Sequence, residues 1–142
     1  MAYDDALKTY QKTSVETADI LKLVIMCYDA AIQDLQEAKR FHTTRDMNST
    51  YDKIRHAQDI ITELLVGLDY ERGGEIAQNL SRLYNFALRQ LIGINSREGT
   101  TAYDSVIHIL AELKDGYEQI RDKAPSSHAS DQPAGRSWGV SV

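Results

Sequence analysis

The side chains in this chain best suited to chemistry are four histidines, His42, His56, His108 and His128, and one cysteine, Cys27. A carboxylate-bridged di-metal centre in a helical protein needs Glu-x-x-His on two helices, because residues three apart share a face and both must reach one ion. Three positions before the first three histidines stand Lys39, Lys53 and Ser105, so that motif is absent. Covalent haem attachment needs two cysteines beside a histidine, and one cysteine cannot supply them. Asp52 lies four residues before His56, and Asp104 four before His108; this spacing predicts surface pairs along one helix. Cys27 falls among apolar residues at helical spacing and reads as a small buried hydrophobe. The Gly73-Gly74 pair lacks the context of a phosphate loop. No nucleophile, base and orienting group come together. The reading is therefore a protein that is not an enzyme, with no catalytic residue, no cofactor and no metal.

Charge and hydropathy narrow the partners. The chain of 142 residues carries 16 basic and 21 acidic side chains, a net charge of −5. Binding to nucleic acid depends on a basic footprint, so nucleic acid is not the expected partner. No uncharged apolar window of about 18 residues occurs, which argues against stable membrane insertion. The opening residues show no basic stretch followed by an apolar one, so no secretory signal is visible. The single cysteine precludes an internal disulfide and suits a reducing compartment, the cytosol.

The elements that position these residues are helices. Both prolines, Pro125 and Pro133, lie near the C-terminus, and the first 124 residues have none. A short N-terminal segment, with Tyr3, Ala6, Leu7 and Tyr10 spaced three and four apart, predicts about two amphipathic turns that need a surface to dock on. A first long helix is expected from Asp19, its N-cap, to about Phe41, with Ile20, Val24, Cys27, Ala31, Leu35 and Ala38 as its stripe. A second runs from about Asp46 to Tyr70 on Ile54, Ala57, Ile61, Leu64 and Leu68. Gly73-Gly74 reads as a turn, and a third helix follows to Asn95 on Ile76, Leu80, Leu83, Ala87, Leu91 and Ile94. A fourth spans about Thr101 to Arg121 on Tyr103, Val106, Leu110, Leu113, Tyr117 and Ile120. Short loops make consecutive helices antiparallel neighbours, so the expected fold is all-α: an up-down four-helix bundle. The domain is set at residues 1–124, with 1–18 as its N-terminal segment, and 125–142 as a disordered tail holding Trp138.

The helices carry more apolar residues than one stripe needs. Leu21, Ile25, Tyr28 and Ile32 make a second row on the first helix; Tyr84, Leu88 and Ile92 do so on the third, with Phe86 on its other flank. A wide core face, a dimer interface and open grooves for amphipathic segments of a partner all account for such rows. Periodicity alone does not choose between them.

Three stretches bear a resemblance. Thr17-Ala18-Asp19-Ile20-Leu21-Lys22-Leu23, continuing to Tyr28-Asp29-Ala30-Ala31-Ile32, is similar to Thr-Ala-Ser-Pro-Glu-Lys-Leu…Leu-Tyr-Asp-Gly-Ala-Ile. Lys53 to Leu68 is the second. The third is Leu68-Asp69-Tyr70-Glu71-Arg72-Gly73-Gly74-Glu75-Ile76-Ala77-Gln78-Asn79-Leu80, followed by Leu83-Tyr84. In this order they resemble the FliS family of flagellar secretion chaperones, over roughly Tyr10 to Tyr117. Asp19-Ile20-Leu21 departs from the usual Ser-Pro-Glu, Cys27 from leucine and Ala30 from glycine.

The resemblance implies a helical bundle in the cytosol that binds the disordered C-terminal segment of flagellin. It implies that this binding prevents premature polymerisation and hands the subunit to the flagellar export apparatus. It also implies that the N-terminal segment around Tyr10 covers part of the surface when no partner is bound. The partner-binding residues expected on this basis are Tyr10, Leu21, Ile25, Tyr28, Ile32, Tyr84, Leu88 and Ile92. A homodimer in the absence of partner is compatible with the same rows, and a non-catalytic dimeric helical adaptor is the alternative function.

Overall fold

A computed structural model describes residues 17–123, apart from Glu98. These residues form four helices, α1 (Thr17–Thr43), α2 (Met47–Val66), α3 (Tyr70–Ile92) and α4 (Thr101–Lys123). The N-terminal segment around Tyr10 and the tail from Pro125 lie outside the described residues.

Each boundary has a local cause. At the end of α1 the Asp46 N–H donates to the Phe41 carbonyl and the Arg45 N–H to the His42 carbonyl, at 3.0 and 3.1 Å. This pair of bonds is a Schellman turn, which needs a left-handed residue after the helix, and Arg45 takes that conformation with φ of 65°. Asp46 then caps α2 at once, its carboxylate accepting from the Ser49 N–H. The chain therefore reverses direction within residues 44–46.

The next boundary departs from the expected one. Helix α2 stops at Val66, with Gly67 as its C-cap, instead of running on to Tyr70. Asp69 caps a new turn, its side chain accepting from the Arg72 N–H at 3.0 Å. Gly73-Gly74 is consequently a kink inside α3 and not the loop before it: Gly74 sits at φ 50°, ψ −126°, between a single turn and the main helical run. Glycine alone adopts that conformation cheaply.

Helices α1 and α3 each pack against α2 and α4, the ring order of an up-down four-helix bundle. Helix α1 is the most deeply set. Ile20, Leu21, Val24, Ile25, Cys27, Tyr28, Ala31, Leu35 and Ala38 are all buried, which covers about half of its circumference. The opposing faces supply Ile54, Ile60, Ile61 and Leu64 from α2, Leu80, Tyr84 and Leu91 from α3, and Tyr103, Val106, Leu110 and Tyr117 from α4. No helix among the described residues is long and apolar enough to cross a membrane.

The two positive-φ positions predict opposite responses. Arg45→Gly relieves a left-handed side chain and raises the urea midpoint, by up to about 1 kcal/mol in stability. Gly74→Ala forces a Cβ into the same half of backbone space and lowers it by about 1 kcal/mol or more. A change of the same sign in both would show that the strain lies elsewhere.

Candidate functional site

Each of the three described histidines has a polar partner. His56 Nδ1–H donates to the Asp34 carboxylate on α1 at 2.5 Å, so the expected pair with Asp52 does not form. Asp52 instead takes Arg55. His108 faces Glu112, one turn later, rather than Asp104, and Asp104 pairs with Lys39 of α1. Both i−4 expectations fail for one reason. Spacing along a helix names possible partners, but a neighbouring helix offers closer ones. His42 is buried and shares a hydrogen bond of 2.9 Å with the Tyr103 hydroxyl. Among the described residues, no group of three or more His, Cys, Asp or Glu is arranged to hold a metal ion.

Polar contacts pin α1 to its two neighbours. Lys53 of α2 meets Glu37 at 2.8 Å. From α4, Lys114 meets Asp29 at 2.5 Å. The Lys53 partnership lowers the pKa of Glu37 and raises that of Lys53. Exposed pairs of this kind contribute little stability but fix register. Helix α3 has no charged pair of this kind with another helix among the described residues; the hydrogen bond between the buried Tyr84 and Tyr28 hydroxyls links it across the core. The Tyr28 ring also lies 5.7 Å from that of Tyr117. Three helices thus meet at one aromatic cluster.

The eight side chains assigned to partner binding separate sharply. Leu21, Ile25, Tyr28 and Tyr84 are buried in the core. Ile32 and Leu88 are partly buried and packed against it. Ile92 is 72% exposed. Tyr10 is outside the described residues. The second row of α1 is therefore core for most of its length, because α1 is flanked on both sides and faces α3 as well.

Helix α3 is rotated relative to the expected stripe. Its buried residues are Ala77, Leu80, Tyr84, Ala87 and Leu91, whereas Ile76 (53%) and Leu83 (36%) remain exposed. Tyr84, expected on the outside, took the inner position because its hydroxyl finds a buried partner in Tyr28 and its ring fills the space at the centre. The displaced Ile76 and Leu83 join exposed Phe86 on one flank. Leu88 and Ile92 lie on the other. The sequence reading placed Ile76 and Leu83 in the core; Ala77, Leu80, Tyr84, Ala87 and Leu91 follow a 3-4-3-4 spacing that Ile76, Asn79, Leu83, Phe86 and Gln90 share, so spacing carried no signal that could choose between them.

This surface offers apolar contact with no reactive group. Cys27 is enclosed, and burial pushes its thiol up to about 11, so the nucleophilic thiolate is suppressed.

Comparison with known proteins gives a consistent picture. Residues 3–124 match the profile of the family described as flagellar protein FliS. The chain is 35% identical to a flagellar secretion chaperone of Salmonella typhimurium, over 83% of this chain and 91% of that protein. It is 32% identical to the flagellar secretion chaperone FliSB of Pseudomonas aeruginosa, over 81% and 94%. A flagellar secretion chaperone of Bacillus subtilis is more distant, at 26% identity over 92% and 97%.

Burial holds Cys27, Tyr103 and Tyr28 in their protonated forms, raising all three pKa values, Tyr103 to about 12. An acid whose folded pKa is raised contributes stability below its unfolded pKa and loses it as pH rises through the folded one. The urea midpoint is thus expected to fall from the ordinary thiol range through about pH 11, and Cys27→Ala should remove the earliest part of that fall. At neutral pH a thiol reagent should label Cys27 only after urea unfolds the chain; rapid labelling of the folded protein would contradict the burial.

Proposed function

The chain belongs to the FliS family, and from that premise we propose that it is a non-catalytic export chaperone for the C-terminal segment of flagellin in the cytosol. On this reading, residues 1–124 form the chaperone domain. Binding keeps the segment from polymerising and holds it ready for the export apparatus. The observation that carries the reading is the state of α3, which keeps large apolar side chains at the surface on both sides of its buried seam. Ile76, Leu83 and Phe86 lie on one side and Ile92 on the other. A segment that is disordered until bound must lose chain entropy, at a cost of about 2 to 5 kcal/mol or more. Apolar grooves along a rigid helix supply the contact that offsets it.

The eight residues assigned from sequence divide in role under this proposal. Leu88, Ile92 and Ile32 touch the cargo. Leu21, Ile25, Tyr28 and Tyr84 support that surface from beneath, since a buried side chain cannot meet a partner while the bundle stays closed. Tyr10 belongs to the segment that covers the surface when cargo is absent.

Leu83→Asp and Phe86→Asp should each weaken binding of the flagellin C-terminal segment by about tenfold or more, the scale of a truncated interface anchor. Calorimetric titration reads the affinity, and circular dichroism should show unchanged helicity. Ile25→Asp should behave differently, lowering thermal stability because it buries a carboxylate. Normal binding by both surface variants would remove α3 from the docking surface.

A further inference from the structure

The outer face of α3 has a second regularity. Ile76, Asn79, Leu83, Phe86 and Gln90 follow a 3-4-3-4 spacing, one residue behind the buried seam of Ala77, Leu80, Tyr84, Ala87 and Leu91. One helix therefore carries two heptad seams, rotated by about 100° from each other. The inner seam closes the bundle. The outer seam is exposed at Ile76, Asn79, Leu83 and Phe86.

Charge on this face is also unusual. The chain as a whole carries −5, yet its longest run without an acidic residue extends from Ile76 to Arg97. Arg82 and Arg89 lie within it, both exposed and each one position before an outer-seam residue. Those are the positions that flank a helix–helix seam and select a partner by charge. Arg82 donates to the neutral Asn79 side chain at 2.6 Å. Neither arginine meets a carboxylate among the described residues. The other helices pair many of their basic side chains with acids, as Lys39, Lys53 and Lys114 do.

We propose that the outer seam of α3 is a charge-selective docking strip for an amphipathic helix whose apolar heptad stripe is edged by glutamate or aspartate. This rests on the chaperone reading, in that the occupant is a helical portion of the cargo, and deepens it by naming the chemistry recognised. Ile76, Leu83 and Phe86 receive the apolar stripe. Arg82 and Arg89, seven residues apart, face acids seven apart on the incoming helix. Asn79 and Gln90, at the same seam, leave it less apolar than a permanent coiled coil, which suits release. Charge complementarity favours this occupant over a second copy of the acidic chain, whose own outer seam presents the same two arginines.

The test uses the full chain and two labelled synthetic helical peptides. They share one leucine heptad stripe and differ only in carrying glutamate or lysine beside it. Fluorescence anisotropy at low salt should show the glutamate peptide binding about fivefold or more tighter, with the preference shrinking at high salt. The Arg82→Glu/Arg89→Glu double variant should reverse the preference, and Phe86→Asp should weaken both peptides. Equal binding of the two peptides, or a preference unchanged by the double variant, overturns the proposal, as does light scattering that shows a dimer for the wild type and a monomer for Phe86→Asp. Titration with the flagellin C-terminal segment separates the two readings. If that segment binds the wild type but ignores charge reversal, the docking strip is wrong and the chaperone reading stands. If it does not bind the wild type, the chaperone reading fails and the peptide preference still decides the strip.

Discussion

The bundle depends on the burial of α1 across about half of its circumference. A helix in an isolated pair needs only one stripe. Here α1 is flanked by α2 and α4 and faces α3 through Tyr28, so Leu21, Ile25 and Tyr28 are as enclosed as Val24 and Leu35. Its polar residues then have few choices. Asp34, itself buried, takes His56, and the more exposed Glu37, Lys39 and Asp29 reach across to neighbouring helices. These contacts set how α2 and α4 lie along α1, and α3 closes the ring against both.

Helix α3 is held differently. Small residues, Ala77 and Ala87, occupy its inner seam beside Leu80, Tyr84 and Leu91. That inward face is narrow, so it satisfies the bundle without consuming the rest of the helix's apolar content. What remains stands at the surface. Ile76 is 53% exposed and Leu83 and Phe86 are each 36% exposed, so apolar surface the core does not consume remains in water along this flank. Under the proposed function, stability and binding reside on different faces of the same helix, with the kink at Gly74 and the cap at Asp69 fixing where that helix begins.

This division bears on chemistry as well. Three of the ionisable groups singled out from the sequence are engaged in structure among the described residues. His42 is tied to Tyr103, His56 to Asp34, and the Cys27 thiol is enclosed. The surface left to a partner is apolar and cationic, which suits recognition of a chain segment.

Much of this was legible in the residues alone. The lack of proline before Pro125 and the apolar periodicity determined four helices and their order, and the motifs around Tyr28 and Gly73-Gly74 pointed to the family; the first helix begins at Thr17, so Asp19 lies in its first turn and is not the N-cap expected of it. The tertiary structure decided the phase of each helix. Periodicity reports spacing, and on α3 two stripes one residue apart have equal spacing, so only the Tyr28–Tyr84 contact settled that Tyr84 turns inward and Leu83 outward. It likewise decided that His56 pairs across the bundle, since a residue four positions away is always a candidate, and a neighbouring helix prevails when its carboxylate comes within hydrogen-bonding distance.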